Sequence, residues 1–187
     1  PNVKQYYLGV QEGIKLDVLC RLIDLHSLKS SLVFCNRKRS VDEVVRKLGA
    51  RGYPAQGLHG DMTQPQRVRA MDSFKRNVSE ILVATDVAAR GINVHDIQAV
   101  FNYDLPMDKE YYVHRIGRTA RAGKKGHAFS FVVGREIGKL RAIEAYAATK
   151  IASMPVPSIA SAYKAKTIPA QKGKDMGRYR QHQTLYT

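Results

Sequence analysis

The sequence is short of acidic residues, short of cysteine and free of long apolar runs, and each shortage removes a class of protein. Only 16 Asp and Glu stand against 31 Lys and Arg in 187 residues, a formal net charge of +15. Such an imbalance calls for a polyanion partner, either nucleic acid or an anionic membrane surface. Membrane binding would want a basic amphipathic helix, and the helical stretches below supply none, so nucleic acid leads and no membrane partner is expected. The two cysteines, Cys20 and Cys35, are too few for a disulfide framework, and neither has metal-ligand spacing to any of the six histidines. They read as buried thiols of a protein kept in a reducing, cytoplasmic setting, with no metal site. No apolar stretch approaches the roughly 18 residues of a spanning helix, and no signal peptide precedes Pro1. The missing initiator Met predicts a chain that starts inside a longer protein.

What is present is ordinary for a globular domain: 44% apolar and 25% charged residues. A chain of this length buries roughly 70% of its unfolded surface, enough for one sizeable core. Short β-branched or apolar runs alternate with segments of helical period. Strands are predicted at Gln5–Val10, Ser31–Cys35, Pro54–His59, Ile81–Ala84, Ala99–Asn102 and Ala128–Val133. Helices fall between them: one through Leu16, Leu19, Ile23 and Leu28, then Ser40–Leu48, Gln64–Arg76 with Val68, Met71 and Phe74 on one face, Asp108–Ile116, and Arg135–Thr149. This alternation predicts an α/β fold with a mainly parallel sheet and helices on both faces. There is no internal repeat. From Ser161 the apolar period fades. Residues 161–187 hold six Lys or Arg against one acid, Asp175, and read as a flexible basic tail behind a domain of residues 1–160.

Each predicted strand is followed at once by a polar cluster. Asn36-Arg37-Lys38-Arg39 follows the second strand, Gly60-Asp61 the third, Thr85-Asp86 the fourth with Arg90-Gly91 just beyond, and Asn102-Tyr103-Asp104 the fifth. In a parallel sheet these clusters share the carboxyl edge, where ligands collect. The densest cluster is His114-Arg115-Ile116-Gly117-Arg118-Thr119-Ala120-Arg121-Ala122-Gly123. Arg115, Arg118 and Arg121 recur every third residue, and no acid lies between Glu110 and Glu136. Unpaired guanidiniums so close together ask for an anion, and their planar forks suit phosphate oxygens. Gly117 and Gly123 suggest backbone held close to something. A Walker A loop is absent: Gly117 to Gly123-Lys124-Lys125 has one residue too many and ends in Lys. The element Gly57-Leu58-His59-Gly60 is a lone GxxG. The chain has groups that stabilise phosphate charge and none that grip a nucleotide alone.

These residues resemble the second RecA-like lobe of the DEAD-box RNA helicases, from about Gln5 to Ile151. SLVFCNRKRS resembles motif IV, Gly60-Asp61 with Gln64 and Arg67 the GD…QxxR element, ATDVAARGIN motif V and HRIGRTARAG motif VI. The resemblance implies a RecA-like, P-loop NTPase-like three-layer sandwich without its own P-loop, half of an ATP-dependent RNA helicase. It implies Arg118 and Arg121 as arginine fingers. Arg90, Gly91 and Asn93 would lie at ATP, with His114 and Arg115 coupling to the other lobe. Asn36, Arg37, Arg39, Gly60, Asp61, Gln64, Arg67 and Thr85 would form an RNA backbone surface. ATP and Mg2+ would be held mainly by the N-terminal RecA-like lobe, the second partner beside single-stranded or duplex RNA. The family's RGxD carries an Asp where this chain has Asn93, which keeps one acceptor oxygen, loses the charge and adds a donor, so a weaker ribose contact is expected. A stand-alone RNA-binding or chaperone module, and a lobe of a DNA-directed superfamily 2 helicase, are the competing readings. Two guanidiniums aimed away from an RNA face would separate the first competitor from a helicase lobe.

Overall fold

Seven strands, all parallel, form the single sheet of the computed structural model, which describes residues 2–162. In chain order the elements are β1 (Val3–Gly9), α1 (Lys15–Leu25), β2 (Ser31–Phe34), α2 (Lys38–Ala50), β3 (Ala55–Leu58), α3 (Gln64–Lys75), β4 (Ile81–Ala84), α4 (Asp86–Ala89), β5 (Ala99–Asn102), α5 (Lys109–Ile116), β6 (Gly126–Val132), α6 (Ile137–Ala147) and β7 (Ala152–Ser153). Their order across the sheet is β3-β4-β2-β5-β6-β1-β7. The register pairs Leu32 with both Leu82 and Val100, and Phe101 with Phe129.

β2, β4 and β5 are buried along their whole length, as runs such as SLVF and ILVA require of central strands covered on both faces. Alternate residues serve opposite layers. Val33, Ile81, Val83, Phe101, Phe129 and Phe131 pack under α1 and α2 with Leu19, Leu22, Val41, Val44 and Leu48. Leu32, Phe34, Leu82, Ala84 and Val100 face the other way, onto Phe74 of α3, Ala88 and Ala89 of α4 and Ile92. Tyr112, Leu140 and Ile143 extend this second layer over Val132. The α/β fold with helices on both faces follows.

Capping chemistry sets the expected start of α3, while other boundaries differ from expectation. α3 starts at Gln64 because Thr63 accepts from the Gln66 N–H while Gln66 returns a bond to the Thr63 N–H. In that helix Val68 is 55% exposed, whereas Phe74 of the predicted face is buried with Ala70, and Met71 packs half-buried against the same core. β1 and β6 start earlier than predicted, α6 is preceded by a 3-10 turn at Gly134–Glu136, and the two-residue β7 beside β1 carried too little apolar signal to be seen. Cys20 and Cys35 are both free and buried. Burial pushes the Cys20 thiol up to about 12 and the Cys35 thiol higher still. The predicted basic tail lies outside the described residues from 163 onward; residues 159–162 form a helical turn.

Candidate nucleotide and nucleic-acid interface

Because every strand is parallel, the clusters after β2, β3, β4 and β5 do meet on one edge. At their centre lies Arg115, 1% exposed. Its Nε donates to Asp86 Oδ1 at 2.6 Å and its Nη2 to Asp86 Oδ2 at 2.7 Å. Nη2 also reaches Asn36 Oδ1 at 2.8 Å, and Nη1 reaches the Asp104 carbonyl at 2.7 Å and Asn102 Oδ1 at 3.1 Å. The guanidinium carries five N–H groups, and these bonds use all of them. The Phe34 ring lies 5.0 Å below. Arg115 therefore fills the crevice outside the carboxyl ends of β4, β2 and β5, where an open sheet ordinarily takes its ligand. This corrects two expectations: Arg115 is neither unpaired nor presented to another lobe. Its carboxylate sits 29 residues upstream, beyond any local scan for acids.

A second buried cation supports the same floor. Lys15, 2% exposed, bonds Asp104 Oδ1 at 3.1 Å and Glu12 at 3.2 Å. Burial works against its charge, but Asp104 and Glu12 outweigh burial and raise its pKa. Asp104 also accepts from the Asn36 N–H at 3.0 Å. The Asn36 amide is spent inward, donating to the Leu105 carbonyl at 2.9 Å and accepting from Arg115, so it holds its loop instead of offering its side chain outward.

Of the other residues assigned to RNA, Arg37 and Arg39 are exposed at the start of α2. Asp61 is exposed and takes a 2.8 Å bond from Lys38, whose bond and charge hold the carboxyl below the usual carboxylate range. Gly60 abuts the Lys38 side chain with ordinary spacing. The Thr85 hydroxyl, on a 9% exposed residue, caps α4 by accepting from the Ala88 N–H at 3.4 Å. Gln64 and Arg67 stand apart from Arg37 and Arg39. They line a cavity of about 440 Å3 together with Arg90, Gly91 and Asn93, so it joins residues assigned to RNA with residues assigned to ATP.

The remaining arginines diverge because Gly117 ends α5. Arg118 leaves the helix and donates Nη1 to the Ile92 carbonyl at 3.0 Å, while the exposed Arg121 donates Nε to the Gly117 carbonyl at 3.0 Å. Partial burial, then the nearby charge of Arg121, lower the Arg118 pKa. An anion would relieve that repulsion. The turn is left-handed at Ala120 (φ 57°), Ala122 (φ 56°) and Gly123 (φ 77°). Two alanines in that region cost roughly 1–2 kcal/mol each, so the surroundings must impose the conformation. They do so through the Thr119 hydroxyl, which donates to the Ile97 carbonyl, and through the Lys124–Asp96 ion pair. Gly126 makes room: a Cβ there would lie 2.2 Å from Thr119 Oγ1 and 2.9 Å from the Ala120 nitrogen. The expected close approaches at Gly117 and Gly123 are therefore reassigned. Gly123 serves its positive φ with nothing within 4 Å, Gly117 meets only the carbonyls of its own helix, and the tight glycine is Gly126. His114 is exposed, edge-on to Tyr111.

Sequence reasoning missed Asp86, Asn102, Asp104 and Lys15 as a network. The available signal was the two acids directly after buried strands. Among the described residues no group of three His, Cys, Asp or Glu could hold a metal ion, and no helix is long and apolar enough to cross a membrane.

A parallel α/β domain with arginines along its carboxyl edge and no Walker A sequence is of the kind found as a helicase lobe. The sequence model described as "Helicase conserved C-terminal domain" matches residues 14–123, and the chain belongs to that family, as the C-terminal lobe of a DEAD-box helicase. The DEAD-box ATP-dependent RNA helicase CshA of Bacillus cereus is 50% identical over 159 residues, 85% of this chain and 30% of that protein. CshA of Bacillus subtilis is 49% identical over 158 residues, 84% of this chain and 32% of that protein. The chain thus spans about a third of the curated relatives it matches. Among solved structures, a DEAD box protein from Methanococcus jannaschii superposes with a TM-score of 0.77 at 44% identity, covering 82% of this chain and 42% of that one. Saccharomyces cerevisiae Dbp5 bound to RNA and ADP BeF3 superposes with a TM-score of 0.79 at 34% identity, covering 89% and 46%. The fold is therefore RecA-like.

Proposed function

We propose that this lobe is the catalytic and RNA-gripping complement of an N-terminal RecA-like lobe in an ATP-dependent RNA helicase. The single observation that carries the reading is the division of cations on one sheet edge. Arg118 and Arg121 stand on a strained, pinned turn and Arg37 and Arg39 on the start of α2, while Arg115 is neutralised between them. In this reading Arg118 and Arg121, bonded only to backbone carbonyls, serve ATP, and Arg37 and Arg39 serve RNA.

In this reading ATP, with its Mg2+ held by the other lobe, binds in the cleft that forms when the two lobes meet. Arg118 and Arg121 then neutralise charge developing on the transferred phosphoryl group, an effect worth about 10³–10⁵ in rate for related arginines. Arg90, Gly91 and Asn93 border the nucleotide, and exposed His114 meets the partner lobe. Arg37, Arg39, Gly60, Asp61, Gln64, Arg67 and Thr85 follow the backbone of one RNA strand. Holding one strand in a path that a continuous duplex cannot follow unpairs a few base pairs, and hydrolysis reopens the cleft. Backbone contacts carry little base readout, and binding weakens with salt at a slope near −0.7 per neutralised phosphate. The buried free thiols fit a reducing cytoplasmic location. A pure RNA-binding module would have no use for Arg118 and Arg121 on a separate turn.

The test is ATP turnover by the lone lobe, with and without RNA, and by the same lobe joined to an N-terminal lobe. Only the joined protein should turn over, and appreciable activity of the lone lobe would sink the reading. Arg118→Ala or Arg121→Ala in the joined protein should cut turnover by about 10³ or more while RNA affinity stays within twofold or so.

A further inference from the structure

Beside the edge strand β3, on the flank of the sheet, lies an open pocket of about 560 Å3, of whose lining the functions above use only Asp61. α2 lines it with Asp42, Val45 and Arg46, β3 with Gln56 and Gly57, the following loop with His59, Asp61 and Met62, and α3 with Gln66 and Arg69. Gly57 and His59 belong to the lone GxxG element of the sequence, so that element forms the back wall.

The lining carries two carboxylates, Asp42 and Asp61, and two guanidiniums, Arg46 and Arg69, and only the carboxylates have hydrogen-bonded partners among the described residues. His59, only 6% exposed, bonds Asp42 through Nε2 at 2.9 Å and accepts the Asp61 N–H on Nδ1 at 3.1 Å. Asp61 in turn takes the Lys38 ammonium. Each carboxylate therefore has one hydrogen-bonded partner, the His59 ring for Asp42 and the Lys38 ammonium for Asp61. Arg46 and Arg69, on the two flanking helices, are exposed and make no hydrogen bond or ion pair among the described residues. Val45, Met62 and Gly57 supply the apolar part of the lining, with the half-buried Gln56 beside them. An anion for the guanidiniums and a flat, weakly polar body for the apolar lining describe a nucleotide: phosphate on Arg46 and Arg69, base over Val45 and Met62, base edge toward Gln56.

We propose that this pocket is a further nucleotide subsite, taking a residue of the RNA strand that continues past the Gly60–Asp61 loop around the β3 edge. Asp61 lines the pocket and also belongs to the RNA-facing loop, which makes the two surfaces continuous. His59 is the hinge, tying α2 to that loop. The inference rests on the RNA reading of the carboxyl edge and adds length to its track.

Fluorescence anisotropy with labelled oligouridylates tests it on the 187-residue chain. A short strand is compared with strands extended at the 5′ or the 3′ end, against wild type, Arg46→Ala and Arg69→Ala. Both substitutions are on exposed helix positions, and circular dichroism checks that the fold is kept. Extension at one end should tighten binding several-fold in wild type. Either substitution should abolish that increment, leave the short strand unaffected, and lower the salt slope of the extended strand by about 0.7 per phosphate lost. An increment that survives both substitutions overturns the subsite and leaves the RNA reading standing. Failure of wild type to bind even the short strand overturns both. Uridine monophosphate that binds alone as tightly as the extension, or an oligoglutamate peptide that binds in an Arg46- and Arg69-dependent way while extension gains nothing, also overturns the assignment to an RNA strand.

Discussion

Arg115 and Asp86 face each other through two bonds, 2.6 and 2.7 Å, inside the crevice at the carboxyl ends of β4, β2 and β5. The pair ties the turn carrying Arg118 and Arg121 to the helix α4 capped by Thr85, and through Asn36 to the start of α2. A buried pair is weak evidence of net stabilisation, but removing one partner strands the other.

Arg115→Lys and Asp86→Asn should therefore each destabilise the lobe by about 3–5 kcal/mol. A lysine supplies one point charge where the site needs a planar fork with five donors. Urea unfolding of the isolated lobe measures this. Unchanged stability of Arg115→Lys would mean that the guanidinium is not the interior clamp and would return it to an inter-lobe role.

Much of this architecture is legible in the chain because hydrophobic period and strand order act locally. ILVA and AVFN can hardly be anything but central strands, and polar residues directly after them land on one edge by topology alone. Arg115 was misread for the opposite reason. No acid lies between Glu110 and Glu136, and its partners Asp86 and Asn36 arrive only through sheet pairing. Val68 lies off the inward face of α3, which Ala70, a weak apolar signal, shares with Phe74. The requirement at Gly126 was invisible because it depends on Thr119 folding back across seven residues.

Gly126→Ala should cost about 1–3 kcal/mol by overpacking. Its Cβ would strike both Thr119 Oγ1 and the Ala120 nitrogen, so adding Thr119→Ala relieves only part of the strain. The turn bearing Arg118 and Arg121 must shift. In the joined two-lobed protein, ATP turnover should fall well ahead of RNA affinity. Equal losses of both would place the damage elsewhere.

At the amino end of the sheet the His26 and His127 rings lie 5.7 Å apart and tilted, with Phe129 5.5 Å from His26 and stacked 5.9 Å from His127. Burial first, then the facing His127 for His26 and Lys4 for His127, hold both pKa values below 6.5. The unfolded chain therefore takes up protons that the folded one refuses. Stability is complete above about pH 6.5 and falls as pH drops from there toward the folded values. Each ring contributes less than the limit of about 1.4 kcal/mol per pH unit, because both are partly exposed. Urea midpoints should decline from about pH 7.5 to 5, and His127→Phe should flatten that decline. An equal slope in the variant would refute the assignment.

Asn93 sits one residue after Ile92, whose carbonyl receives Arg118, and it lines the same cavity as Arg90 and Gly91. In the RNA-helicase reading its amide oxygen accepts a ribose hydroxyl as a neutral group. A charged acceptor makes a hydrogen bond roughly twice as strong as a neutral one. Asn93→Asp in the joined protein should therefore tighten ATP, by about 3- to 10-fold in KM. Turnover at saturating ATP should change much less, because the ribose lies away from the transferred phosphoryl. A deoxyribose analogue separates this from a simple charge effect on Arg118: if the ribose hydroxyl is the partner, 2′- or 3′-deoxy-ATP loses the gain. An unchanged KM for ATP would show that position 93 makes no ribose contact, and a gain retained with both analogues would place the new carboxylate on Arg118 instead.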